Sequence, residues 1–229
     1  MALYTIGDLH LSLGGSKPMD IFGDKWANHV ERLRESFSHL TADDVTVLAG
    51  DLSWGISLEE SLPDFQFIDA LPGRKIILKG NHDYWWGTAT KMKKFFAAHG
   101  IESIDILFNN CFFYGDYALC GTRGWFYEEA SGEAHDRKIM LREVGRLETS
   151  LKAAGDRTKL VFLHYPPKYL GYECPEILDL LDAYHVPLCC YGHIHSRGCR
   201  SAFQGMYHDT EFRLLSADYI SFCPRRILP

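Results

Sequence analysis

Five short apolar runs in this chain are each closed by a carboxylate, an amide or an imidazole. Leu3 to Ile6 leads into Gly7-Asp8-Leu9-His10, Val45 to Ala49 into Gly50-Asp51, and Lys75 to Leu78 into Gly80-Asn81-His82-Asp83. Lys159 to Leu163 meets His164-Tyr165-Pro166, and Leu188 to Tyr191 meets Gly192-His193-Ile194-His195. Apolar runs this short, without alternation, read as fully buried strands. Elsewhere apolar residues recur at helical spacing, as in Val30, Leu33, Phe37 and Leu40, so the whole pattern is that of an α/β fold. In open α/β sheets, ligands bind outside the carboxyl ends of the strands. Gly-Asp alone is ordinary turn chemistry, and a single histidine is usually a satisfied core or surface residue. Packing gives no reason for metal-binding side chains at the same end of five strands, so their agreement points to chemistry.

The remaining elements follow the same reading. Ser57 with Glu60 makes a capping box ahead of a helix bearing Leu58, Leu62, Phe65 and Ile68, which Pro63 should strain or shorten. Met92, Phe95 and Phe96 mark a helix ended by Gly100. From Ile104 to Trp125, the aromatic-rich runs Leu107-Phe108, Cys111 to Tyr114 and Tyr117 to Cys120 are expected to be antiparallel strands joined by tight turns. Met140, Val144, Leu147 and Leu151 restore a helical stripe closed by Gly155, and Pro175 starts a short helix carrying Ile177, Leu178 and Leu181. Ala202 to Ile227 reads as a β-hairpin turning near Tyr207 to Thr210. With no repeat, low-complexity tract or linker, residues 1–229 are expected to form one domain.

Composition narrows the function. Lys and Arg number 24 against 30 Asp and Glu, a net charge of -6 that argues against indiscriminate binding to nucleic acid or anionic membrane. No apolar stretch is long enough to span a bilayer, and the first residues lack the basic head and apolar body of a signal peptide. The 7 cysteines have no paired Cys-x-x-Cys spacing, and Cys189-Cys190 lie inside an apolar run, so reduced, buried thiols in a cytoplasm are expected.

The strand-end residues mix carboxylates, imidazoles and one amide without thiolate, a set that suits Mn, Fe, Zn or Co better than a structural tetrahedral zinc. In extended backbone alternate side chains point the same way, so Asp8 with His10, and His193 with His195, are expected to converge in pairs. Asp8, His10, Asn81, His164, His193 and His195 supply more donors than one open site needs, and Asp51 could bridge two metals. A metal pair roughly 3.5–4 Å apart clamps the attacking and leaving oxygens of an in-line phosphoryl displacement.

In order and in content, Asp8-Leu9-His10, Gly50-Asp51, Gly80-Asn81-His82-Asp83, His164 and Gly192-His193-Ile194-His195 resemble the signature of the calcineurin-like metallophosphoesterases. The resemblance implies two mixed β-sheets packed as a sandwich and flanked by helices. It further implies two divalent ions, with manganese expected first, one held by Asp8, His10 and His195, the other by Asn81, His164 and His193, and Asp51 bridging. His82 would be the general acid and Asp83 its orienting partner. Many family members carry a second acidic residue and an arginine soon after Gly-Asp; this chain instead reads Gly50-Asp51-Leu52-Ser53-Trp54-Gly55, which counts against the phosphoprotein phosphatase branch.

The expected reaction is therefore attack on phosphorus by a hydroxide held between the metals, with His82 protonating the leaving oxygen of a small phosphorylated substrate. Arg123, flanked by Gly121 and Gly124, is the candidate phosphate contact, with a surface salt bridge as the alternative. Core packing is the expected role of most of the tryptophans, while Trp54, Tyr84, Trp85 and Trp86, beside the expected ligands, also offer stacking surfaces for a nucleobase or aromatic leaving group. His135 and Arg137 read as residues preceding a helix. A nuclease or a non-catalytic scaffold of the same fold are the competing readings; the acidic balance opposes the first and the intact ligand set the second.

Overall fold

In a computed structural model, which describes residues 1–15, 17–126 and 133–229, each of the five apolar runs is a strand. The chain forms two compact units: residues Met1–Ile106 with Leu215–Pro229, and residues Leu107–Leu214.

The first unit runs β1 (Leu3–Ile6), α1 (His29–Phe37), β2 (Val45–Leu48), α2 (Leu62–Ala70), β3 (Arg74–Ile77), α3 (Ala89–Ala98) and β4 (Ile104–Ile106). All neighbouring pairs among β1 to β4 are parallel. Strand β2 is buried along its whole length, which explains why it reads as a continuous apolar run. The helices bury one stripe each, Leu33 and Phe37 from α1, Phe65 and Ile68 from α2, Met92 and Phe96 from α3. Thr88 caps α3 by accepting the Lys91 N–H at 3.2 Å, and Gly100 follows its end in the left-handed region at φ 67°.

Helix α2 starts later than the sequence implies. Ser57 Oγ does accept the Glu60 N–H, but Leu58 lies in a turn and the helix begins at Leu62 with Pro63 in its first turn. Proline lacks only an N–H that the first turn leaves unpaired anyway, so Pro63 sets the helix start and strains nothing. The other end of α2 is held by Lys75, whose fully buried ammonium donates to the carbonyls of Asp69, Leu71 and Gly73 at 3.1, 2.5 and 2.8 Å.

The second unit comprises β5 (Phe112–Tyr114), β6 (Tyr117–Thr122), α4 (Glu133–Ala153), β7 (Thr158–Leu163), β8 (Lys168–Tyr169), β9 (Tyr172–Glu173), α5 (Pro175–Ala183), β10 (Leu188–Tyr191), β11 (Gly205–Tyr207) and β12 (Thr210–Leu214). Its main sheet has the order β11-β12-β10-β7-β6-β5, with parallel pairing inside and an antiparallel hairpin at each edge. Leu147 and Leu151 of α4 and Ile177, Leu178 and Leu181 of α5 share a core with Val161, Cys189 and Tyr191. All 7 cysteines are free thiols. A last strand, β13 (Arg225–Leu228), belongs to the first unit and pairs antiparallel with β1, making that sheet mixed with the order β13-β1-β2-β3-β4.

Two mixed sheets with helices are the α/β class that the sequence implied. Three local expectations are corrected. Ile104–Ile106 joins β3 in parallel and Leu107-Phe108 is not a strand, so the only antiparallel pair among the described residues of that aromatic region is β5 with β6 around Gly115-Asp116. The terminal hairpin closes at Leu214, and the strand after it pairs with the start of the chain, a long-range choice that local periodicity does not encode. His135 and Arg137 lie inside α4 rather than before it.

Burial lowers the Lys75 pKa from 10.5 to about 8. Between those values the unfolded chain binds more protons than the folded one, so this group adds stability as pH rises from about 8 to 10.5. Denaturation midpoints of wild type and Lys75→Met, compared across that range, should shift in favour of wild type with rising pH; a constant difference would contradict the buried, depressed ammonium.

Candidate metal centre and catalytic residues

In the first unit, the ends of β1 and β2 are laced together by irregular backbone bonds. Asp8 donates its N–H to the Gly50 carbonyl, His10 to Asp51 and Leu11 to Leu52, each at 2.9 Å. This lacing puts three ligand-type side chains in one place. Ligand atoms of Asp8 and His10 lie within 4.8 Å of one another, as do those of Asp8 and Asp51, and His10 Nε2 is 3.7 Å from Asp51 Oδ2. Asp8 and Asp51 are almost wholly buried. Burying carboxylates side by side is costly unless a cation joins them. Oxygen and imidazole donors without sulfur are what a divalent ion of the Mn, Fe, Zn or Co type accepts, so the residues present fit the metal that the sequence implied.

The pairing arises differently from the expected extended backbone. Asp8, His10, Asp51 and His193 have φ of 60, 46, 51 and 70°, in the left-handed region. Asp and His enter that region more readily than most residues, but at an energetic cost that surrounding bonds must hold. Side chains converge here because the backbone turns sharply, not because it alternates.

The loop after β3 supplies the holding bonds. Asp83 is fully buried and accepts five N–H groups: Oδ2 takes those of Asp51 and Gly80 at 3.0 and 2.7 Å, and Oδ1 those of Leu52, Ser53 and the Trp85 indole at 2.8, 3.4 and 3.1 Å. Asp51 Oδ1 in turn accepts the His82 N–H at 2.7 Å. A Cβ on Gly80 would lie 2.1 Å from Asp51 Oδ1, so only glycine admits this approach. Asn81, half-buried, sits between that glycine and His82. The His82 ring packs 4.4 Å from Trp54 and 5.8 Å from His10, centroid to centroid, and its Nδ1 lies 3.3 Å from the Tyr84 hydroxyl. Trp85 is buried against Phe65, as the core-packing role of most tryptophans requires, whereas Trp54 and Trp86 are half-buried and Tyr84 is exposed.

The second unit holds the other histidines. His164 is fully buried at the end of β7; its N–H and that of Tyr165 both donate to the Arg123 carbonyl, at 3.1 and 2.8 Å, and its own carbonyl accepts the Gly192 N–H at 3.1 Å. The His164 and His193 rings are 5.2 Å apart, and Tyr165 packs 4.4 Å from His193. His195, half-buried and extended, precedes a 3-10 turn. Arg123 is no surface residue. Its side chain is 13% exposed, Nη2 is 3.5 Å from the buried Glu143 carboxylate, and the guanidinium lies 4.8 Å over the Trp125 ring. Glu143, which also accepts from Thr122 and Arg146, is a supporting group that sequence reasoning missed, because Thr122 and Arg123 lie about 20 residues away on other elements. The sequence offers Tyr84 only as a stacking surface, since nothing local signals its contact with the His82 ring.

Carboxylates and imidazoles at strand ends, on a fold with two mixed sheets, are a donor set that a divalent metal accepts. The family described as calcineurin-like phosphoesterase matches residues 1–197, and the chain belongs to that family. No curated protein compared with the chain matches it. Among solved structures, phosphopantetheinyl hydrolase from Mycobacterium tuberculosis is similar at 14% identity and a TM-score of 0.58, over 100% of this chain and 96% of that one. The TT1561 protein of Thermus thermophilus is similar at 13% identity and 0.54, over 99% and 97%, and a protein of unknown function from Aquifex aeolicus at 16% and 0.50, over 98% and 95%. At such identities these likenesses show the fold.

Asp83→Ala would leave its N–H partners without an acceptor, each at a cost of about 1–3 kcal/mol. Some will find water, so a net loss of roughly 3–5 kcal/mol in unfolding free energy is expected by urea denaturation. A loss under about 1 kcal/mol, the usual effect of a change at an unconstrained surface site, would show that the carboxylate is not the clamp of this loop.

Proposed function

We propose that the chain is a dinuclear-metal-dependent phosphoesterase that hydrolyses a small phosphomonoester or phosphodiester in the cytoplasm. The observation that carries this reading is the buried Asp8, His10 and Asp51 cluster with the His82 imidazole beside it. Family membership supports the ligand set that the resemblance implies, in which Asp8, His10 and His195 would hold one ion, Asn81, His164 and His193 the other, and Asp51 would be shared. Two divalent ions, manganese first among them, would supply Lewis acidity and a nucleophile at neutral pH.

The chain's own groups do the rest. His82, with Nδ1 held by the Tyr84 hydroxyl, delivers a proton from Nε2 to the departing oxygen. Asp83 serves that step by fixing the loop that carries His82. Arg123, whose Nε is buried without a partner, offers donors to a non-bridging phosphate oxygen, and its carbonyl holds His164 in place.

With Mn²⁺ added, His82→Ala should slow hydrolysis of an alkyl phosphate by roughly 10²–10⁴-fold and that of 4-nitrophenyl phosphate far less, since a good leaving group needs no proton. Asp51→Asn serves as the control for contaminating phosphatases. Equal losses across the leaving-group series would contradict the acid role. Rates on bis(4-nitrophenyl) phosphate in the same assay separate diester from monoester preference.

A further inference from the structure

An acid at His82 requires the leaving group to lie on the side of that imidazole, whose ring neighbours are Trp54, His10 and Tyr84. The Trp54 indole packs 4.4 Å from His82 and stacks on His10 at 4.9 Å with an interplanar angle of 22°. The same indole forms one wall of a cavity of about 360 Å³ within the first unit, shared with Lys17, Pro18, Ile56, Glu60 and Asp64. That volume falls in the range of small-molecule sites.

The cavity's charges are not equivalent. Glu60 Oε2 accepts the Ile56 N–H at 3.1 Å, and Asp64 accepts the Leu13 N–H at 2.7 Å and the Ser53 hydroxyl, so both carboxylates are engaged by the protein's own donors. Burial also pushes the Asp64 carboxyl upward, toward its neutral form. Lys17 is the one cation among the lining residues described. Its ammonium rests 3.0 Å from the centre of the Trp54 ring and pairs with no carboxylate among the described residues. Lys17 is exposed, and an exposed cation over an aromatic ring is held weakly, whereas an ionised acceptor makes a shorter and stronger bond. An anionic ligand would therefore take the ammonium.

We propose that this cavity is the leaving-group subsite, in which Trp54 packs against a flat or compact carbon frame and Lys17 selects frames that carry an anionic substituent. The inference rests on the phosphoesterase reading and adds to it the chemical class of the leaving group.

Phenyl phosphate and 4-carboxyphenyl phosphate, with Mn²⁺, test it. Wild type should prefer the carboxylate-bearing ester in kcat/KM, and Lys17→Met should reduce the ratio between the two esters by about tenfold or more, through KM. An unchanged ratio would overturn the subsite. Binding of the product 4-hydroxybenzoate, followed by tryptophan fluorescence, gives a readout without turnover: it should be saturable in wild type and weakened in both Lys17→Met and Trp54→Leu. If neither ester is cleaved but 4-hydroxybenzoate binds and Lys17→Met weakens it, the phosphoesterase reading fails and the anion subsite stands; binding unaffected by Lys17→Met removes the subsite whatever the activity.

Discussion

The carboxylate of Asp83 ties the ends of β2 and β3 to each other by accepting N–H groups from Asp51, Leu52 and Ser53 on one side and Gly80 on the other. Everything in the first half of the site hangs on that tie. Asp51 is held in left-handed backbone, and its own carboxylate then receives the His82 N–H. Five N–H donors meet the buried Asp83 carboxylate, whereas Asp8 and Asp51 stand beside the His10 imidazole. One acid builds the loop; the other two face the ligand-type cluster.

Strained backbone at the ends of β1 and β2 accompanies this arrangement. Left-handed φ at Asp8, His10 and Asp51 costs energy that the lacing between Asp8 and Gly50, and between His10 and Asp51, must offset. The second unit uses a related device, in which the Arg123 carbonyl takes the N–H groups of His164 and Tyr165 while Glu143 holds the Arg123 side chain. In both units the candidate ligands stand at strand ends whose backbone is held by hydrogen bonds from neighbouring residues.

Much of this is legible in the sequence, because buried strands followed by polar ligands are a local signal. The five strand ends, the stripes of α1, α3, α4 and α5, and the free cysteines all follow from period and punctuation. The start of α2 is not legible, because a serine-glutamate bond and a proline compete locally, and only the structure shows that Pro63 fits the first turn. The terminal strand escapes local reading because its partner, β1, lies more than 200 residues away in sequence. Convergence of Asp8 with His10 is expected from alternation along a strand, a geometric reason that the left-handed backbone replaces. The cavity beside Trp54 is illegible, since Lys17 and Trp54 are brought together only by folding.

We propose that the buried Asp8 and Asp51 carboxylates, at the ends of β1 and β2, help to hold a pair of divalent ions. Calorimetric titration of metal-free protein with Mn²⁺, in wild type and in Asp51→Asn, tests it most directly. Two ions per chain in wild type and the loss of at least one in the variant is the expected result. No binding to a folded wild type, or an Asp51→Asn protein that binds the same number with the same affinity, would contradict it.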